Sequence, residues 1–391
     1  MMKADVLQYG RQLVDEADIE SVCEVLRSDF LTQGPAVPKF ERLVSNWCGS
    51  KFGVAVSNGT ASLHLAAMAL GLGPGDWLWT TPITFVASAN AGRYCGAQVD
   101  FVDVDPGTVN LCPEQLSIKL EVAEKTGRLP KVLVLVHFAG QSCDMRRIHA
   151  LSQKYGFRIL EDAAHALGGS YQNERIGNCR WSDAVSHSFH PVKIITSGEG
   201  GMITTNDEEL ASKIQILRTH GITRELSRME GESHGPWYYE QLELGYNYRM
   251  TDIQAALGAS QMGKLEVFAR RRRELADMYD EVLDALPVRP LHRAPWGTSG
   301  WHLYVIRLDL AAIRRTRREV FESLREQGIW VNIHYIPVHL QPDYRRLGFS
   351  PGMFPEAERY YQECITLPLF PAMADSDVLR VEAALRIALN V

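Results

Sequence analysis

Short apolar runs alternate with longer helix-like stretches between Val54 and Thr205, and that alternation leaves few folds open to the chain. Val54 to Val56, Trp77 to Thr80, Phe101 to Val104, Val132 to Val136, Arg158 to Glu161 and Met202 to Thr205 each read as a strand. Helix-like segments between them let successive strands return in the same direction, giving a largely parallel sheet with helices on both faces. A long helical stretch from Thr251 to Leu286 follows, then the strand-like Trp301 to Ile306 and Trp330 to Ile333. We expect an α/β chain of two domains: a large one over 1–260, including the N-terminal segment, and a smaller C-terminal α/β domain over 261–391.

Within that frame one lysine is out of place. Lys193 follows Ser188, Phe189, His190, Pro191 and Val192, precedes Ile194 and Ile195, and is trailed by Gly198-Glu199-Gly200-Gly201. Apolar neighbours desolvate an ammonium and lower its proton affinity, so the nucleophilic amine becomes accessible near neutral pH, as Schiff-base chemistry requires. The plainer reading is a surface lysine beside a tight turn, so partners decide.

Three segments supply candidates. Phe157 to Leu160 reads as a strand running into Glu161-Asp162-Ala163-Ala164-His165, and acids at a strand's carboxyl end face the ligand crevice of an open α/β sheet. Asp162 suits the partner of a pyridine nitrogen; capping the next helix is its other reading. Ser57-Asn58-Gly59-Thr60-Ala61-Ser62 lies between a strand and a helix whose Leu63, Ala66, Ala67 and Leu70 share one face. Free N–H groups, the helix dipole and hydroxyls converge there on an anion. Phe85 falls between a strand and a helix, where it either stacks on a flat ring or fills the core.

Together with Gly245 to Asp252, these segments resemble, in order and spacing, the DegT/DnrJ/EryC1/StrS sugar aminotransferases of the aspartate-aminotransferase superfamily. The resemblance covers nearly the whole chain. It implies fold type I of the pyridoxal 5'-phosphate (PLP) enzymes, with Lys193 as Schiff-base lysine and proton shuttle. Asp162 would bond the pyridine nitrogen, Phe85 would stack on the ring, and Thr60, Ala61 and Ser188 would hold the phosphate. Asn247 would reach the phosphate in a neighbouring subunit, making a homodimer with shared active sites. Ser28 to Pro35, Val136 to Met145, Gly235 to Gln241 and His334 to Pro342 are similar to the branch serving pseudaminic acid synthesis. That similarity implies L-glutamate as donor and a UDP-linked 4-keto-6-deoxy sugar as acceptor, with Gln33, Tyr335 and His339 as substrate residues and Trp237 to Tyr239 and His334 as further candidates. Another nucleotide-linked keto sugar would keep every cofactor residue. Sugar dehydratases of the family carry histidine in place of the lysine, and a non-catalytic relative would have lost part of the set.

Two positions depart from the family pattern: His187, where an apolar residue is usual, and Ser197, where threonine is common. A polar ring in a core strand needs a partner, so we read His187 as a hydrogen-bonded core residue. The net charge of -6, with no basic stripe, argues against nucleic acid as the main partner. Arg270 to Arg273, between Glu266 and Glu274, reads as a solvated helix face. Cys23, Cys48, Cys95, Cys112, Cys143, Cys179 and Cys364 are scattered and lack metal-ligand spacing, so we expect reduced thiols and no metal. Met1 to Asp5 leads into no apolar segment of signal length, and no membrane-spanning run follows, so a cytoplasmic enzyme is expected.

Overall fold

The protein is described by a computed structural model over residues 6–391; Met1 to Asp5, on which the expectation of no leader partly rests, lies outside the described residues. After β1 (Leu7–Gln8), strands β2 (Phe52–Val56), β3 (Trp77–Thr80), β4 (Gln98–Phe101), β5 (Val132–Val136), β6 (Arg158–Asp162), β7 (Ala184–Ser188) and β8 (Gly201–Thr205) follow. The last seven form one sheet in the order β2-β8-β7-β6-β5-β3-β4. Only β8 runs against the others, antiparallel to both β7 and β2.

Among the central strands β5 is apolar without interruption, because both of its faces are covered. In β5 every residue is buried: Val132 and Val134 pack with Leu63, Ala66 and Leu160 on one face, Leu133 and Leu135 with Leu116, Leu120 and Ile148 on the other. The strand expected at Phe101 to Val104 instead spans Gln98–Phe101. It is the edge strand, where Gln98 and Asp100 alternate with buried Val99 and Phe101, so a continuous apolar run was the wrong pattern to seek.

The helical stretch expected from Thr251 divides into Asp252–Met262 and Leu265–Leu283. The first opens with a capping box, in which the Thr251 hydroxyl accepts the N–H of Gln254 and the Gln254 side chain accepts the N–H of Thr251. Beyond them β9 (Val288–Pro290), β10 (Tyr304–Leu308) and β12 (Cys364–Leu367) form an antiparallel sheet. Leu275, Tyr279, Ile306, Leu324 and Leu385 belong to its core. β11 (Ile329–Trp330) pairs in parallel with β1, so the N-terminal strand, grouped on sequence with the large domain, joins this second layer.

One surface expectation fails. Arg272 is fully buried, and its Nη1 donates to the carbonyls of Trp301, His302 and Leu369, at 3.2, 3.3 and 2.8 Å. Along a helix with an apolar stripe, one of four consecutive arginines falls on the inner face. All seven cysteines are free thiols, and no helix of the described residues is long and apolar enough to cross a membrane.

His187 is a core residue, 1% exposed in β7, with Nε2 3.3 Å from the Thr204 hydroxyl and Nδ1 without a partner. Burial pushes its pKa down to about 4. Between pH 6.5 and 4 the unfolded chain therefore binds a proton that the folded ring refuses, and stability falls as pH falls. His187→Leu should remove up to about 3 kcal/mol of that loss at pH 4, read from urea denaturation at both ends of the range. A second expectation concerns Gly258, where a Cβ would lie 2.7 Å from Cζ of buried Phe40. Gly258→Ala should cost about 1–3 kcal/mol in the same measurement.

Candidate active site

Register brings four strand ends to one place. Val136 pairs with Asp162, Asp162 with Ser186, and Ser188 with Gly201, which also faces Val56. The carboxyl ends of β2, β5, β6 and β7 therefore border one cavity of about 950 Å³, the crevice position of a parallel α/β sheet. Thr60, Ala61, Phe85, Asp162, Ser188, Lys193 and Tyr335, all singled out from the sequence, line it.

The anion seat forms where β2 turns into the helix Gly59–Ala69. Asn58 caps that helix, its Oδ1 accepting the N–H of Ala61 at 2.8 Å and its carbonyl accepting that of Ser62 at 3.1 Å. The N–H groups of Gly59 and Thr60 and the hydroxyls of Thr60 and Ser188 are left for a ligand. Close approach demands glycine here: a Cβ on Gly59 would meet the Ser188 side chain at 2.9 Å, and one on Gly201 the Asn58 carbonyl oxygen at 2.3 Å. Free donors on a helix start fit a phosphate.

Successive residues of β6 point to opposite faces. Glu161 turns away from the cavity, buried against His137, whose Nε2 lies 2.6 Å from Oε2. His137 Nδ1 accepts the N–H of Cys143, which leaves its proton on Nε2 for Glu161. Asp162 turns toward the cavity, its Oδ1 accepting the N–H of Ala164 and its Oδ2 the hydroxyl of Ser88 at 2.7 Å. That hydroxyl has one proton to give, so it accepts from Thr84 at 2.6 Å. The carboxylate is thereby held at the cavity wall, which suits the partner of a pyridine nitrogen. Phe85 is 58% exposed at the start of the helix Val86–Tyr94, so it is not core and offers a ring face to the cavity.

Lys193 reaches the cavity from a turn after β7, braced by buried Ile194 and Ile195. The residue is half-buried, yet its amine end is enclosed: burial pushes its pKa down to about 8, against the pull of the Asp162 charge. About a tenth of the amine is then neutral at pH 7. Three buried histidines gather round it, and burial holds all of them well below their ordinary pKa: His165, His302 and His334. His165 Nε2 bonds the Tyr335 hydroxyl at 3.0 Å, and His334 Nδ1 bonds Thr366 at 2.9 Å.

Other expectations land elsewhere. His339 is fully buried outside the cavity, with Nε2 3.0 Å from Glu358 and its ring against Phe354, so the substrate role assigned to it is withdrawn in favour of a packing one. Gln33 is exposed and does not line the cavity, nor does Asn247, which is exposed and bridged to Thr219 although its neighbour Tyr248 lines the cavity. Trp237 and Tyr239 are exposed away from it. Sequence reasoning missed Ser88 and His302 as cavity or support residues, whereas His334 was read with Tyr335 as a candidate for the sugar site and lines the cavity; His165 was inside a quoted motif, but His302 had no local signal.

The family model for DegT/DnrJ/EryC1/StrS aminotransferases matches residues 12–386. The chain belongs to that family. Among its relatives is the spore coat polysaccharide biosynthesis protein SpsC of Bacillus subtilis, 41% identical over 384 residues, 97% of this chain and 96% of SpsC. Among solved structures, Helicobacter pylori PseC, an aminotransferase involved in the biosynthesis of pseudaminic acid, superposes with a TM-score of 0.89 at 29% identity, covering 98% of this chain and 99% of PseC. Spr1654 of Streptococcus pneumoniae in its PLP-form superposes with a TM-score of 0.87 at 28% identity, again covering 98% and 99%. The chain is thus a PLP-dependent aminotransferase of fold type I. The donors at the helix start, the held carboxylate and the enclosed amine described above fit that cofactor. Borohydride reduction of the PLP-loaded protein should fix the cofactor on Lys193, found by peptide mass spectrometry. Lys193→Ala should abolish fixation and lower transamination by at least about a thousandfold.

Proposed function

We propose that the protein moves an amino group from L-glutamate to C4 of UDP-2-acetamido-2,6-dideoxy-β-L-arabino-hex-4-ulose, giving UDP-4-amino-4,6-dideoxy-N-acetyl-β-L-altrosamine. The observation that carries this reading is an enclosed amine and a held carboxylate in a cavity of about 950 Å³, in a chain that superposes on PseC over 98% of its length. Four segments similar to the pseudaminic acid branch, Ser28 to Pro35, Val136 to Met145, Gly235 to Gln241 and His334 to Pro342, support the acceptor.

PLP, when bound, supplies an aldehyde that condenses with amines and a ring that takes up the electrons of a broken C–H bond. Thr60 and Ser188, with the free N–H of Gly59, would hold its phosphate, while Ala61, whose N–H Asn58 already takes, would line that seat without donating to it; Asp162 would pair with its ring nitrogen and Phe85 would stack on its ring. Lys193 Nζ, with its depressed pKa, takes a proton from the donor's α-carbon and later delivers one to C4 of the sugar. Tyr335, hydrogen-bonded to His165, borders the acceptor. Gln33 retains a substrate role only if a second copy brings it to the cavity. In a homodimer Asn247 of each copy reaches the other's phosphate; its exposure, and that of Phe30, Leu31, Leu244 and Trp237, supports that assembly. We assign the enzyme to the cytoplasm, where nucleotide sugars are made.

The 41% identity to SpsC favours a second reading, in which the acceptor is another nucleotide-linked keto sugar. Few pocket residues set such a choice. Mass spectrometry after incubating PLP-loaded protein with L-glutamate and the UDP-linked 4-keto sugar decides: exchange of the keto oxygen for an amino group is the expected result. No exchange, with borohydride fixation intact, would discard this acceptor and keep the aminotransferase.

A further inference from the structure

Among the described residues Lys193 Nζ has one hydrogen-bond partner, Nε2 of His302 at 3.5 Å, the long end of the hydrogen-bonding range. His302 precedes β10, is 4% exposed, and has no partner for Nδ1. It is held from two sides. Arg272 donates to its carbonyl and to that of Trp301, and its ring packs on that of His165 with centroids 4.4 Å apart. Placement so far along the chain from Lys193, and so firmly fixed, is more than a cavity wall requires.

We propose that His302 is a positioning residue for Lys193: its Nε2 accepts a hydrogen bond from the ammonium and keeps Nζ over the cavity whenever the amine is not joined to a carbonyl. This rests on the reading of Lys193 as the Schiff-base lysine. An ammonium has three donors and no acceptor, so the imidazole must be neutral with its proton on Nδ1. The surrounding charges favour that state, since Lys193 and Arg272 both oppose a third positive charge. The other titratable groups that line the cavity with Lys193 are Asp162 from β6, His190 and Glu199 from its own turn, His165 beyond β6, His334 and Tyr335 beyond β11, and the phenols of Tyr9, Tyr94 and Tyr248. Of these Asp162 is the group that favours the protonated amine, but it acts on Nζ by its charge and not through a hydrogen bond. His302 is then the near acceptor.

The test uses PLP-free full-length protein, because the released amine is the state in question. Trace acetylation of Lys193 with acetic anhydride across pH, quantified by peptide mass spectrometry, should give a midpoint near 8 in the native protein. In His302→Phe the ammonium loses its acceptor, and the midpoint should fall by about one pH unit. His302→Gln, whose amide oxygen can accept, should restore it. A midpoint unmoved or raised in His302→Phe, or equally low in His302→Gln, would overturn the proposal. Should His302→Phe fail to fold by circular dichroism, His302→Asn, too short to reach Nζ, takes its place with the same expected fall. A wrong assignment of Lys193 shows separately, as absent borohydride fixation in the native protein.

Discussion

An amine kept away from water is the constraint to which the rest of the site answers. The Schiff-base role proposed for Lys193 requires a proton affinity low enough for a nucleophile, and enclosure supplies that by penalising the ammonium. A directly bonded carboxylate would undo it. Asp162, which accepts from Ser88 and from the N–H of Ala164, makes no hydrogen bond to Nζ, so its charge acts on Lys193 through space without clamping it. The same engagement turns the carboxylate toward the cavity, as the proposed partner of a ring nitrogen must be. One polar relay, Thr84 to Ser88 to Asp162, thus serves two ends.

The sheet makes that relay possible. Because β5, β6 and β7 are parallel and in register, their ends supply an apolar wall, an acid and a hydroxyl within one crevice. Alternation along β6 then separates adjacent acids: Glu161 goes to the rear layer, held by bonds from His137 and Ser182, and Asp162 to the front. Two adjacent carboxylates facing one cavity would repel each other and raise the pKa of one. Here the period of the strand prevents it.

What could be read from residues alone follows from how local each signal is. β3 and β5 stood at their observed limits, and the helix opened by Asn58 and the turn carrying Lys193 were recognised, because turn chemistry and continuous apolar runs are written within a few residues. β4 was displaced because an edge strand alternates, and Phe101 to Val104 is the more apolar stretch. His302, Arg272 and His339 were unread or misread for a different reason. Nothing beside His302 names Lys193, 109 positions away, as its partner. His339 shares a motif with Tyr335, yet the short 3-10 turn Val338–Leu340 carries it into the core beside Glu358. In Arg270 to Arg273 four identical side chains hide which one faces inward.

Arg272 connects these misreadings to the chemistry. A buried guanidinium without a carboxylate is costly, and this one is satisfied only in part, by three carbonyls, with Nε and Nη2 unpartnered. Burial pushes its pKa down to about 9, still above neutrality, so the charge remains. A carboxylate partner would lower that cost, but it would also stand near His302 and draw a proton onto the imidazole. A protonated ring could no longer accept from Lys193 and would repel its ammonium. Leaving the guanidinium to carbonyl oxygens gives structural support to the His302 segment, while burial, with the positive charges of Lys193 and Arg272 added, keeps the ring neutral. An arrangement unfavourable for stability is therefore the one that keeps the acceptor beside Lys193 open, and the incomplete satisfaction of Arg272 is explained by the site it supports.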